Sequence, residues 1–179
     1  MTTKMLSQTR QRGLALALLL VSGLAGAADC GGTLVFPWSA QGKVYEVGAK
    51  TLMFVGEIKG TLYAESGKGL LDAAPMICPM LYEIDAASGE NRGEGRCAIY
   101  PKGVEGVVHA VYSCKGPAGT CEGRFDLSGG RGKLDGIAGS GPLASRTGAS
   151  EMAVKLGPGG LISNAEGLMT LNGFGCKTR

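Results

Sequence analysis

Val107-Val108-His109-Ala110-Val111-Tyr112-Ser113-Cys114, the loop Lys115-Gly116-Pro117-Ala118-Gly119-Thr120, and Cys121-Glu122-Gly123-Arg124-Phe125-Asp126-Leu127 together decide how this chain folds. Two alternating stretches flank a loop built from turn formers, which is the pattern of a β-hairpin. The loop sits symmetrically between two cysteines. Setting Cys114 opposite Cys121 sets Tyr112 against Gly123, Ala110 against Phe125 and Val108 against Leu127, and all of these suit an apolar interior. Directly opposed positions hold their Cβ atoms ~4.5–5.5 Å apart, within easy reach of a disulfide, so Cys114–Cys121 is the favoured bridge. The other face then pairs Ser113 with Glu122, Val111 with Arg124 and His109 with Asp126, which reads as a solvent face. His109 is the one histidine of the chain and the obvious general base or metal ligand. This register instead expects it in water beside a carboxylate, in a weak surface pair. Carried back through the turn Pro101 to Gly106, the same alternation turns Ile99 and Cys97 inward and Arg96 outward.

Outward from the hairpin, no segment sustains a helical period, and 32 glycines interrupt the chain every few residues, each costing ~1 kcal/mol against alanine inside a helix. Leu52, Phe54, Gly56, Ile58, Gly60 and Leu62 share one face of an extended run; Met53, Val55, Glu57, Lys59, Thr61 and Tyr63 share the other. Further strands are expected at Thr33 to Trp38, Met80 to Asp85, Gly95 to Tyr100, Leu134 to Ile137, Glu151 to Leu156 and Glu166 to Leu171. Short strands at such spacing predict an all-β antiparallel sandwich or barrel. Interior glycines at Gly56, Gly60 and Gly123 favour the barrel, whose bulges and bends need residues without a Cβ.

The densest glycine run, Gly129 to Gly141, invites a phosphate-binding reading that its residues reject. Leu134 follows Lys133 where a Walker loop needs Ser or Thr, Asp135 stands where the dinucleotide fingerprint needs its third glycine, and no nonapeptide repeats exist. Positive φ angles and close strand crossings explain these glycines better. From Cys121-Glu122-Gly123-Arg124-Phe125-Asp126-Leu127-Ser128-Gly129-Gly130 through Gly132, Leu134, Gly136, Ile137, Gly139 and Gly141, the chain resembles the strand-turn-strand signature of the allene oxide cyclase-like and dirigent-like barrels. It is particularly similar to their exported bacterial relatives, over Gly95 to Gly141. The resemblance implies a single antiparallel barrel of about eight strands around an apolar cavity, in families that commonly form trimers. The polar cavity groups by which the plant enzymes steer a reactive intermediate find no match here, and fold likeness does not carry chemistry with it.

The N-terminus reads as a signal peptide: Lys4, Arg10 and Arg12 without an acid, the apolar run Gly13 to Val21, then Ala25-Gly26-Ala27. Cleavage after Ala27 is expected, leaving one domain over 28–179. The apolar run is shorter than the ~20 residues a spanning helix needs, and Ala28-Asp29 separates Cys30 from the small residues, unlike a lipoprotein. Removing three of the 18 basic residues leaves as many bases as the 15 acids, scattered together along the chain, so no nucleic-acid partner is expected, nor a stable membrane insertion. Six cysteines in an exported chain predict disulfides. No pair has zinc-site spacing, so no metal and no cofactor is expected. Six cysteines allow 15 pairings; besides the hairpin bridge, Cys30 with Cys176 would tie the ends and Cys78 with Cys97 would join neighbouring strands.

Three functions compete. The first is an exported, non-catalytic barrel in the periplasm or outside the cell, its interior either holding a small apolar molecule against Phe54, Ile58, Tyr112 and Phe125 or filled by its own side chains. The second is a cyclase, isomerase or dirigent-type enzyme for a lipid-like or phenolic intermediate, for which Glu57 is the one catalytic candidate, provided a bulge turns it inward. The third is a surface interaction module using an apolar patch at Met53, Val55 and Tyr63, where a homo-oligomer contact could equally sit.

Overall fold

Alternating apolar and polar side chains, with a small residue every few positions, bury one face only if the backbone stays extended. The computed structural model shows the chain doing so over almost its whole described length. It describes residues 30–148, 155–157 and 160–178; the expected signal segment and residues 151–154 lie outside them. The strands are β1 (Gly32–Gly48), β2 (Thr51–Ala64), β3 (Ala74–Asp85), β4 (Glu90–Ile99), β5 (Gly106–Pro117), β6 (Thr120–Gly132), β7 (Ala138–Thr147), the short β8 (Lys155–Gly157) and β9 (Gly160–Lys177). Strand β8 pairs only with the start of β9. The rest pair antiparallel in sequence order, and β1 returns to β9, closing an eight-stranded barrel. Closure leaves no edge among these eight to template aggregation.

The inward face of β2 is the expected one, with Phe54, Ile58 and Leu62 buried and Val55 and Tyr63 exposed. The hairpin keeps its faces but not its register. Tyr112 pairs with Phe125, Ala110 with Leu127 and Cys114 with Gly123, and a bulge at His109/Ala110 then sets His109 against Gly129. Compared with direct opposition of the two cysteines, the register is shifted by two residues, which preserves every face because side chains alternate with a period of two. The Cys114–Cys121 bridge is therefore diagonal, its Cα atoms 5.4 Å apart. It fits because the position opposite Cys114 is Gly123, and a Cβ there would strike the Ser113 carbonyl and, at 2.7 Å, the Cys114 Cα. His109 is exposed as expected, but its expected partner is elsewhere: Asp126 accepts from Arg124 Nε at 2.7 Å.

The expected strand Leu134 to Ile137 is instead a turn. The Asp135 and Ile137 amides donate to the carbonyls of Gly132 and Leu134, and Gly132 and Gly136 take φ of 72° and 74°, values open to glycine at no steric cost. The strand follows as β7, whose Ala, Gly, Ser and Pro carry little β-propensity. Leu134 and Ile137 are buried there, and Leu71 enters from the β2–β3 loop, where the Ala64 amide donates to Asp72 Oδ1 at 2.9 Å. Together with Phe36, Met76, Phe125 and Phe174 they fill the end of the barrel that carries the β2–β3, β4–β5 and β6–β7 connections.

Two more disulfides lie on the inner wall and the closing seam. Cys78 and Cys97 join β3 to β4, and Cys30 and Cys176 join the chain before β1 to the end of β9, with Cα separations of 4.1 Å and 5.7 Å. All six cysteines are thereby paired, consistent with maturation in an oxidising compartment.

Candidate functional site

The opposite end, where β1–β2, β3–β4 and β5–β6 turn, is not filled. A cavity of about 400 Å³ opens there, lined from every barrel strand. Trp38, Ala40 and Val44 come from β1, Phe54 and Ile58 from β2, Met80, Tyr82 and Ile84 from β3, Asn91 from β4 and Tyr112 from β5. Cys114 of β5, Ala118 and Gly119 of the β5–β6 turn, Thr120 and Cys121 of β6, Ser145 and Thr147 of β7, the following Gly148, and Ala165 and Met169 of β9 complete the wall.

Glycines on the inner face explain why so many rings leave room in the middle. A Cβ at Gly93 would lie 2.6 Å from Tyr82 Cδ2, one at Gly95 would lie 2.8 Å from Tyr112 Cζ, and one at Gly42 would lie 2.7 Å from Phe54 Cε2. At Gly167 it would meet Trp38 Cε2 at 2.7 Å. Each ring thus lies along the wall, over a residue of a neighbouring strand that has no side chain to obstruct it. With a larger residue at those positions, the rings would have to swing toward the axis and fill the space.

The polar groups of the cavity are few and uncharged. Asn91 is buried, and its Nδ2 donates to the carbonyls of Pro117 at 2.8 Å and Thr120 at 3.1 Å, holding the β5–β6 turn from inside. The Tyr112 hydroxyl donates to the Met80 sulfur at 3.5 Å, a weak acceptor. Burial pushes the Tyr82 phenol up to about 12. Tyr112 is raised too, by burial first and by the adjacent Tyr82 second. Among the described residues, no Asp, Glu, Lys, Arg or His lines the cavity.

Of the residues singled out from sequence, Phe54, Ile58 and Tyr112 stand on this wall and Phe125 does not. Phe125 is fully buried lower in the barrel, edge-on to Phe174 with ring centroids 6.1 Å apart. Glu57 lies on the outer face: β2 pairs with β1 and β3 without a shift at this position, setting Glu57 between Gln41 and Pro79. The bulge that a catalytic Glu57 requires is absent. The sequence reading passed over Trp38, Tyr82 and Asn91. Trp38 and Tyr82 continue the even-numbered alternation of Leu34-Phe36 and Met76-Cys78-Met80, a signal that was there to follow. Asn91 follows a turn and becomes an inner residue only through its pairing with Gly116. Comparison with protein-family models, with characterised proteins and with solved structures finds no match to this chain.

Proposed function

We propose that this chain is an exported, disulfide-bonded barrel that holds a small apolar molecule in its open end without transforming it. The observation that carries this reading is the cavity of about 400 Å³ walled by Trp38, Phe54, Ile58, Tyr82 and Tyr112, whose described lining holds no carboxylate, imidazole, ammonium or guanidinium group. General acid–base chemistry needs such a group in reach of the reacting atoms, and phenols held above their usual range are poor bases at neutral pH. The volume falls within the ~300–1,000 Å³ of small-molecule sites, which are mostly apolar with a few placed polar groups. Delivery to the periplasm or the cell exterior is supported by the three bridges and by the charged, apolar and small-residue sequence of the first 27 residues. The likeness of Cys121 to Gly141 to the allene oxide cyclase-like and dirigent-like signature supports the binding part, since those barrels also enclose apolar cavities.

Native mass spectrometry of the oxidised protein, purified from the periplasm without organic solvent, tests the reading. It expects a bound mass that is lost on solvent treatment; a bare chain that also fails to take up added apolar probes would end it. The interaction-module reading rests on Val55 and Leu81, which pair directly on the outer face and are both exposed, and it predicts self-association at micromolar concentration.

A further inference from the structure

The strand registers set the width of the barrel, and the lining of its open end sets the depth. Followed once round the wall from Val44 through Phe54, Tyr82, Cys114 and Leu143, the pairings return to β1 at Leu34, ten residues below Val44. Stagger, tilt and diameter are linked in a closed sheet. Eight strands with a stagger of about eight are packed solid by their own side chains; a stagger of ten gives a wider bore. The cavity wall runs from Val44 down to Trp38 on β1, from Phe54 to Ile58 on β2 and from Ile84 to Met80 on β3. At ~3.3 Å per residue and a tilt of ~35–45°, those spans give a depth of about 10–15 Å along the axis. Spread over that depth, the cavity of about 400 Å³ has a mean cross-section of about 30 Å². Hydrocarbon chains in contact lie ~4.0–4.5 Å apart, so the bore takes one chain and not two.

Polar groups are spread unevenly along this bore. Thr120 begins β6, Thr147 ends β7 and Asn91 is the second residue of β4, so all three stand at the mouth, with Ser145 one inward step below Thr147. Trp38, Ile58 and Met169 line the cavity farthest along their strands from the mouth, and Phe36 and Phe125 are fully buried beyond it. The phenol at that depth, Tyr112, already donates to Met80. A polar head pushed to the floor would lose its water for little in return. Carbon–carbon bonds of ~1.5 Å advance an extended chain by a little over 1 Å each, so the depth corresponds to about ten carbons. Resting on the binding reading above, we infer that the occupant is an amphiphile with one unbranched alkyl chain of about ten carbons, inserted tail first with its polar head at the mouth.

Straight-chain 1-alkanols from butanol to dodecanol, titrated calorimetrically into the oxidised wild-type protein, measure the bore. Affinity should rise about fourfold with each methylene withdrawn from water, then level off at about ten carbons, where further methylenes stay in solvent. The caged 1-adamantanol, wider than one chain, should show no uptake. Ala40 lies between Val44 and Trp38 on the inner face of β1, so Ala40→Leu adds bulk where the structure has space and should move the levelling point to shorter chains. Trp38, the only tryptophan, reports which end goes in first: 10-bromodecan-1-ol should quench its fluorescence more strongly than 2-bromodecan-1-ol. Affinity that climbs unbroken through dodecanol, a break that Ala40→Leu leaves in place, uptake of 1-adamantanol, or the reverse order of quenching would overturn the inference while leaving the cavity reading intact. No binding by any of these alcohols would remove the reading on which it rests.

Discussion

At the scale of single residues, the cavity exists because inner-face glycines let aromatic rings lie flat. Gly95→Ala should push the Tyr112 ring toward the axis and cost about 1–3 kcal/mol, the usual range for overpacking, read as a lower urea midpoint with unchanged slope. The same variant should take up apolar probes more weakly, since the displaced ring occupies the space they need. The buried phenols give a pH signature. The folded-state value of Tyr82, about 12, lies above the ordinary tyrosine value of 10.0, so the folded protein keeps a proton that the unfolded chain releases. The stabilisation is fully present below pH 10.0 and is lost as pH climbs toward about 12. Urea midpoints should fall across that window, and Tyr82→Phe should flatten the fall. Glu57, on the outer face, carries no such role, and Glu57→Gln should leave probe binding unchanged by calorimetry.

At the scale of elements, the hairpin β5–β6 shows what alternation does and does not encode. Which residues face inward follows from a period of two and is legible in Tyr112, Ala110, Phe125 and Leu127. Which residue faces which depends on turn length, and the tight turn between Pro117 and Thr120 moved the register by two while the bulge at His109 moved it again. Neither changes composition, so neither leaves a mark in the sequence. The expected strand at Leu134 fails for a related reason: two apolar residues look like strand whether they line a wall or cap an end, and only Gly132 and Gly136 mark the turn. The bridges act on this scale too. On the chain-entropy account, Cys30–Cys176 closes a separation of 146 residues and Cys114–Cys121 one of 7, which corresponds to about 5 and about 2.5 kcal/mol. Paired Cys→Ser variants, compared by denaturant unfolding, should rank in that order. The reverse order would mean that the short bridge acts chiefly by holding the mouth in shape.

At the scale of the whole molecule, the barrel has one packed end and one open one. The all-β antiparallel class was legible from the turn spacing and interior glycines. The asymmetry of the two ends was not, because it arises from connections: the β2–β3 loop and the β6–β7 turn send Leu71, Leu134 and Ile137 inward, while the β5–β6 turn sends in none of comparable bulk. Phe125 and Tyr112 both face inward and are directly paired across β5 and β6, yet only Tyr112 reaches the cavity, a difference that alternation alone does not encode. The account depends on the open end being apolar space that a molecule can enter. Genuinely apolar cavities of this kind take up xenon, which makes crystals of the oxidised protein under xenon pressure the most direct test. Xenon density enclosed by Phe54, Ile58, Tyr112 and Met169 is the predicted result. Side chains packed across that position, with no xenon in the barrel, would contradict it.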